Sequence, residues 1–186
     1  MFKVNPRNTS YHKQHLLVDA NGIPIVTIRK KILTAHSKWK VFKGNSTAHS
    51  ELIFSTKTPI IMQTTNVHVF LANKIGSKDC FDFKIKGSWS NKSCTIYLGD
   101  SETIIAQMHK MEPSENVKEK CMVKVYPNVD YAFVVTLMLI FEAMNPSDAD
   151  NVDDENHNDT NADTLHVIGE VLYLGAAAGV LGMILT

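Results

Sequence analysis

Apolar and polar residues alternate with period two through most of the chain up to Val125, and beyond Asp130 the alternation gives way to an unbroken apolar run. Phe81, Phe83 and Ile85 interleave with Asp82, Lys84 and Lys86; Trp39 and Val41 interleave with Lys38 and Lys40. Such a pattern puts one face of a strand in a core and the other in water. The same period recurs at Val67, Val69 and Leu71, at Cys94, Ile96 and Leu98, at Ile104, Ala106 and Met108, and at Cys121, Val123 and Val125. Asn21-Gly22, between Leu16-Leu17-Val18 and a second apolar run from Ile23, is a hairpin word because both residues tolerate positive φ. Gly44-Asn45-Ser46, Gly76-Ser77, Gly87-Ser88 and Gly99-Asp100 punctuate the other strands. Short strands separated by turns of this kind predict an all-β sandwich or barrel.

Residues 130–144 predict a different element. Asp130 is placed to cap a helix, and from Tyr131 to Phe141 nothing more polar than Thr136 interrupts the run. A helix that is apolar all round must be buried all round. At about 1.5 Å per residue it is too short for the roughly 30 Å core of a bilayer, so a protein interior is its host. A sheet wrapped around one helix satisfies both patterns.

Charge divides the chain where hydropathy does. All 19 Lys and Arg lie at or before Lys124, against 11 acids before residue 146, a formal +8; the eight remaining acids follow with no cation, a formal −8. Residues 146–164 carry seven of those acids and one sizeable aliphatic, Val152, which predicts a disordered acidic linker. Leu165 to Thr186 turns apolar again, with Gly175 and Gly179 inside it, and as a helix at about 1.5 Å per residue would be long enough for a membrane anchor. The competing expectation is a segment that packs onto an exposed barrel edge. Three cysteines without CxxC spacing argue for a reducing compartment, and Met1-Phe2-Lys3-Val4-Asn5-Pro6 has no apolar leader. The sequons at Asn8, Asn45, Asn91 and Asn158 then carry no weight.

Several words of the sequence, in this order, resemble the plant LURP-one-related family. They are Thr27-Ile28-Arg29-Lys30-Lys31, His36-Ser37-Lys38-Trp39-Lys40-Val41-Phe42-Lys43-Gly44, Asp82-Phe83-Lys84-Ile85-Lys86-Gly87-Ser88-Trp89, Ile105-Ala106-Gln107-Met108 and Val125-Tyr126-Pro127-Asn128-Val129-Asp130-Tyr131-Ala132-Phe133. That family is related to tubby C-terminal domains and phospholipid scramblases. The resemblance implies a mainly β fold: a tubby C-terminal-like barrel of twelve strands around a central hydrophobic helix. It covers residues 1–145, implies that the first strands of the barrel are lacking here, and leaves the linker and the tail outside the family core. It further implies a setting in defence or stress signalling.

The candidate binding residues are the basic side chains at outward strand positions: Arg29, Lys38, Lys40, Lys84 and Lys86, with Lys43, Lys30 and Lys31 nearby. Together they suit an inositol phosphate headgroup, each cation near an anionic surface contributing on the order of 1 kcal/mol. The competing reading is a solvated strand face on which Lys discourages edge pairing. Phe42, Trp39 and Tyr97 interleave with lysines as base-stacking groups would, yet Trp39 shares a face with Val41 and belongs to the core. Nucleic acid is therefore not the expected partner. No HExxH, zinc-spaced His/Cys cluster, GxSxG, P-loop or GxGxxG occurs, so neither catalysis nor a cofactor or metal is expected.

The expected function is a non-enzymatic, cytoplasmic and membrane-associated module that binds anionic lipid, phosphoinositide in particular. The alternatives are a protein-interaction or structural barrel without lipid binding and a scramblase-like protein held in the membrane through Leu165 to Thr186; the alternative to a cytoplasmic location is the nucleus.

Overall fold

The structure is a computed structural model and describes residues 2–9, 12–31, 38–58, 65–72, 80–88, 91–111, 120–144, 171–174 and 180–184. Ten strands follow one another in chain order: β1 (Lys3–Thr9), β2 (His12–Val18), β3 (Pro24–Lys31), β4 (Lys38–Lys43), β5 (Leu52–Lys57), β6 (Thr65–Leu71), β7 (Phe83–Ser88), β8 (Ser93–Leu98), β9 (Ile104–Lys110) and β10 (Lys120–Val125). Each pairs antiparallel with the next, so the sheet is a continuous meander. Its turns use the chemistry expected of them. At the β2–β3 hairpin Gly22 takes φ +82°, and the Asp19 carboxylate accepts bonds from the amides of Asn21 and Ile23, both at 2.8 Å.

Helix α1 (Tyr131–Glu142) follows β10 and is enclosed by the curled sheet. Asp130 caps it: its Oδ1 accepts from the Phe133 amide at 2.7 Å. Every residue from Val134 to Phe141 is buried, which is the all-round burial that the missing polar face demanded. Thr136 is tolerated there because its hydroxyl donates back to the Ala132 carbonyl at 2.6 Å. Inward side chains from the strands meet the helix on several sides. Phe54 and Phe83 pack against Phe133 with ring centroids 5.3 and 4.9 Å apart. Cys94 Sγ lies 3.3 Å from Met138 Sδ. At Gly87 an added Cβ would come within 2.8 Å of the Phe141 ring and closer still to Ser93 and Cys94, so this glycine is required by close approach.

The tail differs from the spanning helix expected for a membrane anchor. Its described residues form two strands, β11 (Val171–Leu174) and β12 (Val180–Ile184), and β12 pairs antiparallel with β10 from Lys120↔Ile184 to Lys124↔Val180. Strand order at that end is β10-β12-β11, which gives twelve strands among the described residues. The edge of β10 supplies backbone partners that the tail would lack as an isolated strand pair. Among the described residues β1 and β11 do not pair with each other, and no helix is long and apolar enough to cross a membrane. The acidic linker at 146–164 lies outside the described residues, as do His36 and Trp89.

Candidate functional site

Strand registers assemble a feature on the outer face that no single strand contains. Lys31 on β3 stands opposite Lys38 on β4, Lys38 opposite Lys57 on β5, Lys57 opposite His68 on β6, His68 opposite Lys84 on β7, and Lys84 opposite Tyr97 on β8. Six adjacent strands thus contribute one row, four lysines, a histidine and a phenol, crossing about 24 Å of sheet at the usual inter-strand spacing. Like charges directly opposite one another destabilise a sheet. Arg29 and Lys40 are a second opposed cationic pair, two residues along the same strands.

The two pairs on β3 and β4 border a concavity of about 230 Å³, lined by Arg29, Lys31, Lys40, Phe42, Thr47 and His49. Local structure explains its shape. A bulge between Val41 and Phe42 changes the phase of β4, and Gly44 at φ +56° turns the chain back over the sheet. The Thr27 hydroxyl fastens that turn by donating to the Gly44 carbonyl at 2.7 Å. A 3-10 turn at His49–Glu51 then closes the wall. The result is an aromatic floor beneath a cationic rim, a form suited to a phosphorylated headgroup.

The six residues expected to form a basic patch do not all converge. Arg29 and Lys40 meet at the concavity, and Lys38 lies beside it opposite Lys31. Lys43 sits at the exposed end of β4, opposite Val26 and out of phase with Lys38 and Lys40, and does not line the concavity. Lys86 is exposed on β7, three strands from β4. Lys84 departs from the solvated lysine expected at an outward position: it is only 7% exposed. Its Nζ donates to Asp100 Oδ1 at 3.0 Å on the β8–β9 turn and lies 5.7 Å from the centre of the Tyr97 ring. Lys86 approaches the same ring at 5.4 Å.

Electrostatics distinguish the two ends of the row. Among the described residues Arg29, Lys31, Lys38 and Lys40 carry no ion pair, whereas Lys84 does. The bond from Lys84 holds the Asp100 carboxyl below its ordinary range. His68, stacked on Phe81 with centroids 4.2 Å apart, has its pKa lowered by burial and then by the neighbouring Lys84, with Lys57 adding to the shift and Asp100 opposing it.

Sequence reading did not single out Lys57, His68, His49 or Asp100. The pairing registers join Lys57 and His68 to the lysines, the 3-10 turn brings His49 to the concavity, and Asp100 reaches Lys84 from the turn word Gly99-Asp100. Other chemistry finds little support in the described residues. Cys94 and Cys121 are buried thiols in no disulfide, and burial pushes the Cys94 thiol far up, away from nucleophilic use. No group of three metal-ligating side chains occurs among the described residues.

Comparison with known proteins gives a single family. The LURP-one-related profile matches residues 1–142, so β11 and β12 lie outside it. Protein LURP-one-related 15 of Arabidopsis thaliana is 40% identical over 152 residues, spanning 80% of this chain and 70% of the relative. Protein LURP-one-related 10 of the same plant is 37% identical over 156 residues, 81% and 80% of the two chains. An X-ray structure of another Arabidopsis thaliana protein superimposes with a TM-score of 0.58 at 34% identity, over 77% of this chain and 76% of that one. The relatives' names specify no reaction.

Proposed function

The chain belongs to the LURP-one-related family, and on that premise we propose that its curled sheet is a non-enzymatic membrane-docking module that binds anionic phosphoryl headgroups, phosphoinositides foremost. The observation that carries this reading is the set of cations around the concavity, Arg29, Lys31, Lys38 and Lys40, that have no counter-ion among the described residues. Cations opposed across a strand pair raise the energy of the free protein, and an anionic surface relieves that repulsion while gaining on the order of 1 kcal/mol per cation. The natural target is the cytoplasmic leaflet, which carries the anionic lipids. The proposal keeps the setting in plant defence or stress signalling that the family resemblance implies.

Co-sedimentation of the full chain with vesicles tests the reading. Phosphoinositide-containing vesicles are expected to pellet the protein and neutral vesicles are not, with binding falling steeply as salt is raised. Arg29→Glu with Lys40→Glu is expected to lower that affinity tenfold or more without unfolding the protein. Equal pelleting of the double variant removes the concavity from the site.

A second reading rests on β1, whose outer edge pairs with no strand among the described residues. Such an edge accepts a partner's strand by β-addition. Partner binding that survives the Arg29 and Lys40 reversals and is lost on placing proline in β1 would favour it.

A further inference from the structure

We infer that Lys84, Lys86 and Tyr97 form a second phosphoryl-oxygen subsite on the basic face, which the Asp100 carboxylate occupies in the free protein and vacates on binding. The inference rests on the anionic-headgroup reading above and deepens it.

The ion pair between Lys84 and Asp100 is lopsided. The Lys84 side chain is 9% exposed and the Asp100 side chain 88% exposed, across a contact of 3.0 Å. A buried ammonium requires a partner, since stripping it of water costs several kcal/mol, whereas a carboxylate in solvent requires none. The cation is therefore fixed in the sheet, and the anion reaches it from a turn. Gly99 at φ +54° and the Ser101 hydroxyl, which donates to the Leu98 carbonyl at 2.6 Å, shape that turn.

Among the described residues the charges acting on Asp100 are cationic. Lys84 and Lys86 both approach the Tyr97 ring, and His68 stands directly opposite Lys84. Asp82, whose carbonyl accepts from the Gly99 amide at 2.7 Å, has its carboxylate engaged by the Leu71 amide at 2.9 Å. Among the described residues Asp100 is the carboxylate that pairs with Lys84, and Lys86 adds to the positive charge it faces, with Lys57 one strand beyond His68. A phosphate oxygen makes the same charge-assisted bond to Lys84 Nζ that the carboxylate makes, and brings more charge to Lys86. The exchange costs little on the protein side, because Asp100 is already in water.

The subsite lies three strand spacings, about 14 Å, from Lys38 and farther from Lys40. That separation exceeds the span of phosphates on one sugar ring, so the concavity and the subsite take separate headgroups of one lipid surface.

Asp100→Asn tests this directly, because it removes the resident charge from an exposed turn and leaves the fold in place. The full chain carrying it is expected to bind phosphoinositide vesicles three- to tenfold more tightly than wild type. With Lys84→Met added, the gain is expected to vanish. In a second arm inorganic pyrophosphate is titrated while the Tyr97 ring and His68 imidazole signals are followed by NMR. Saturable shifts are expected in Asp100→Asn at concentrations several-fold lower than in wild type. Vesicle affinity equal to or below wild type, with no saturable pyrophosphate shift in Asp100→Asn, overturns the subsite whether or not wild type binds vesicles. Saturable pyrophosphate shifts without vesicle binding by either protein keep the subsite, assign it to soluble phosphates and reject the membrane reading.

Discussion

The two faces of one sheet solve opposite problems with the same alternating strands. On the inner face, Ile28, Val41, Phe54, Ile85 and Ile96 are essentially without solvent contact and close around a helix that has no polar side. On the outer face the same strands bring Lys31, Lys38, Lys57 and Lys84 into one row. The inner face gains stability from every side chain, at about 25 cal/mol per Å² of apolar surface removed from water. The outer face loses some, because its opposed cations repel. A surface arranged at a cost to its own fold is better explained by what it meets than by what it supports.

Substitutions on the two faces separate these roles. The largest effect is expected at the helix, where Phe141→Ala empties the space against Gly87 and should lower unfolding free energy by about 3–5 kcal/mol in urea titration. Vesicle affinity of the fraction that remains folded should not change.

Lys38→Glu sharpens the contrast, since it turns two repulsive cross-strand pairs, with Lys31 and with Lys57, into attractive ones. Stability should rise by about 0.2–1 kcal/mol while vesicle binding weakens several-fold. A variant that loses both would mean that Lys38 supports the fold and not the face.

The smallest effect belongs to His68. Its pKa is lowered in the folded protein, so between that value and the unfolded one, about 6.5, the unfolded chain takes up the proton and the folded chain does not. The stability it contributes is full above pH 6.5 and is lost as pH falls through the folded pKa. Melting temperatures from pH 7.5 to 5 should show a shallower decline in His68→Gln than in wild type.

How much of this could be read from the chain follows from the range of the interactions. Helix α1 and its Asp130 cap were legible because burial all round and capping are encoded within about fifteen consecutive residues. Trp39 was assignable to the core because Val41 shares its face, and the structure buries both. The burial of Lys84 was not legible, because its cover comes from Asp100 and Tyr97 on other elements. Nor was the row: it depends on five successive strand pairings, one of them carrying a bulge between Val41 and Phe42, and a shift of one residue changes which side chains meet. For the tail, length and hydropathy left a spanning helix and a segment packed onto a barrel edge as competing expectations; its described residues pair as strands beside β10.

The most direct test of the central claim is a footprint of lysine acetylation, read by mass spectrometry on the full chain with and without phosphoinositide vesicles. Protection is expected at Lys31, Lys38, Lys40 and Lys57, with Lys43 and Lys3, which lie off the row, reacting as they do in the free protein. Equal protection at every lysine, or protection at Lys43 and Lys3 alone, would contradict a membrane-reading outer face.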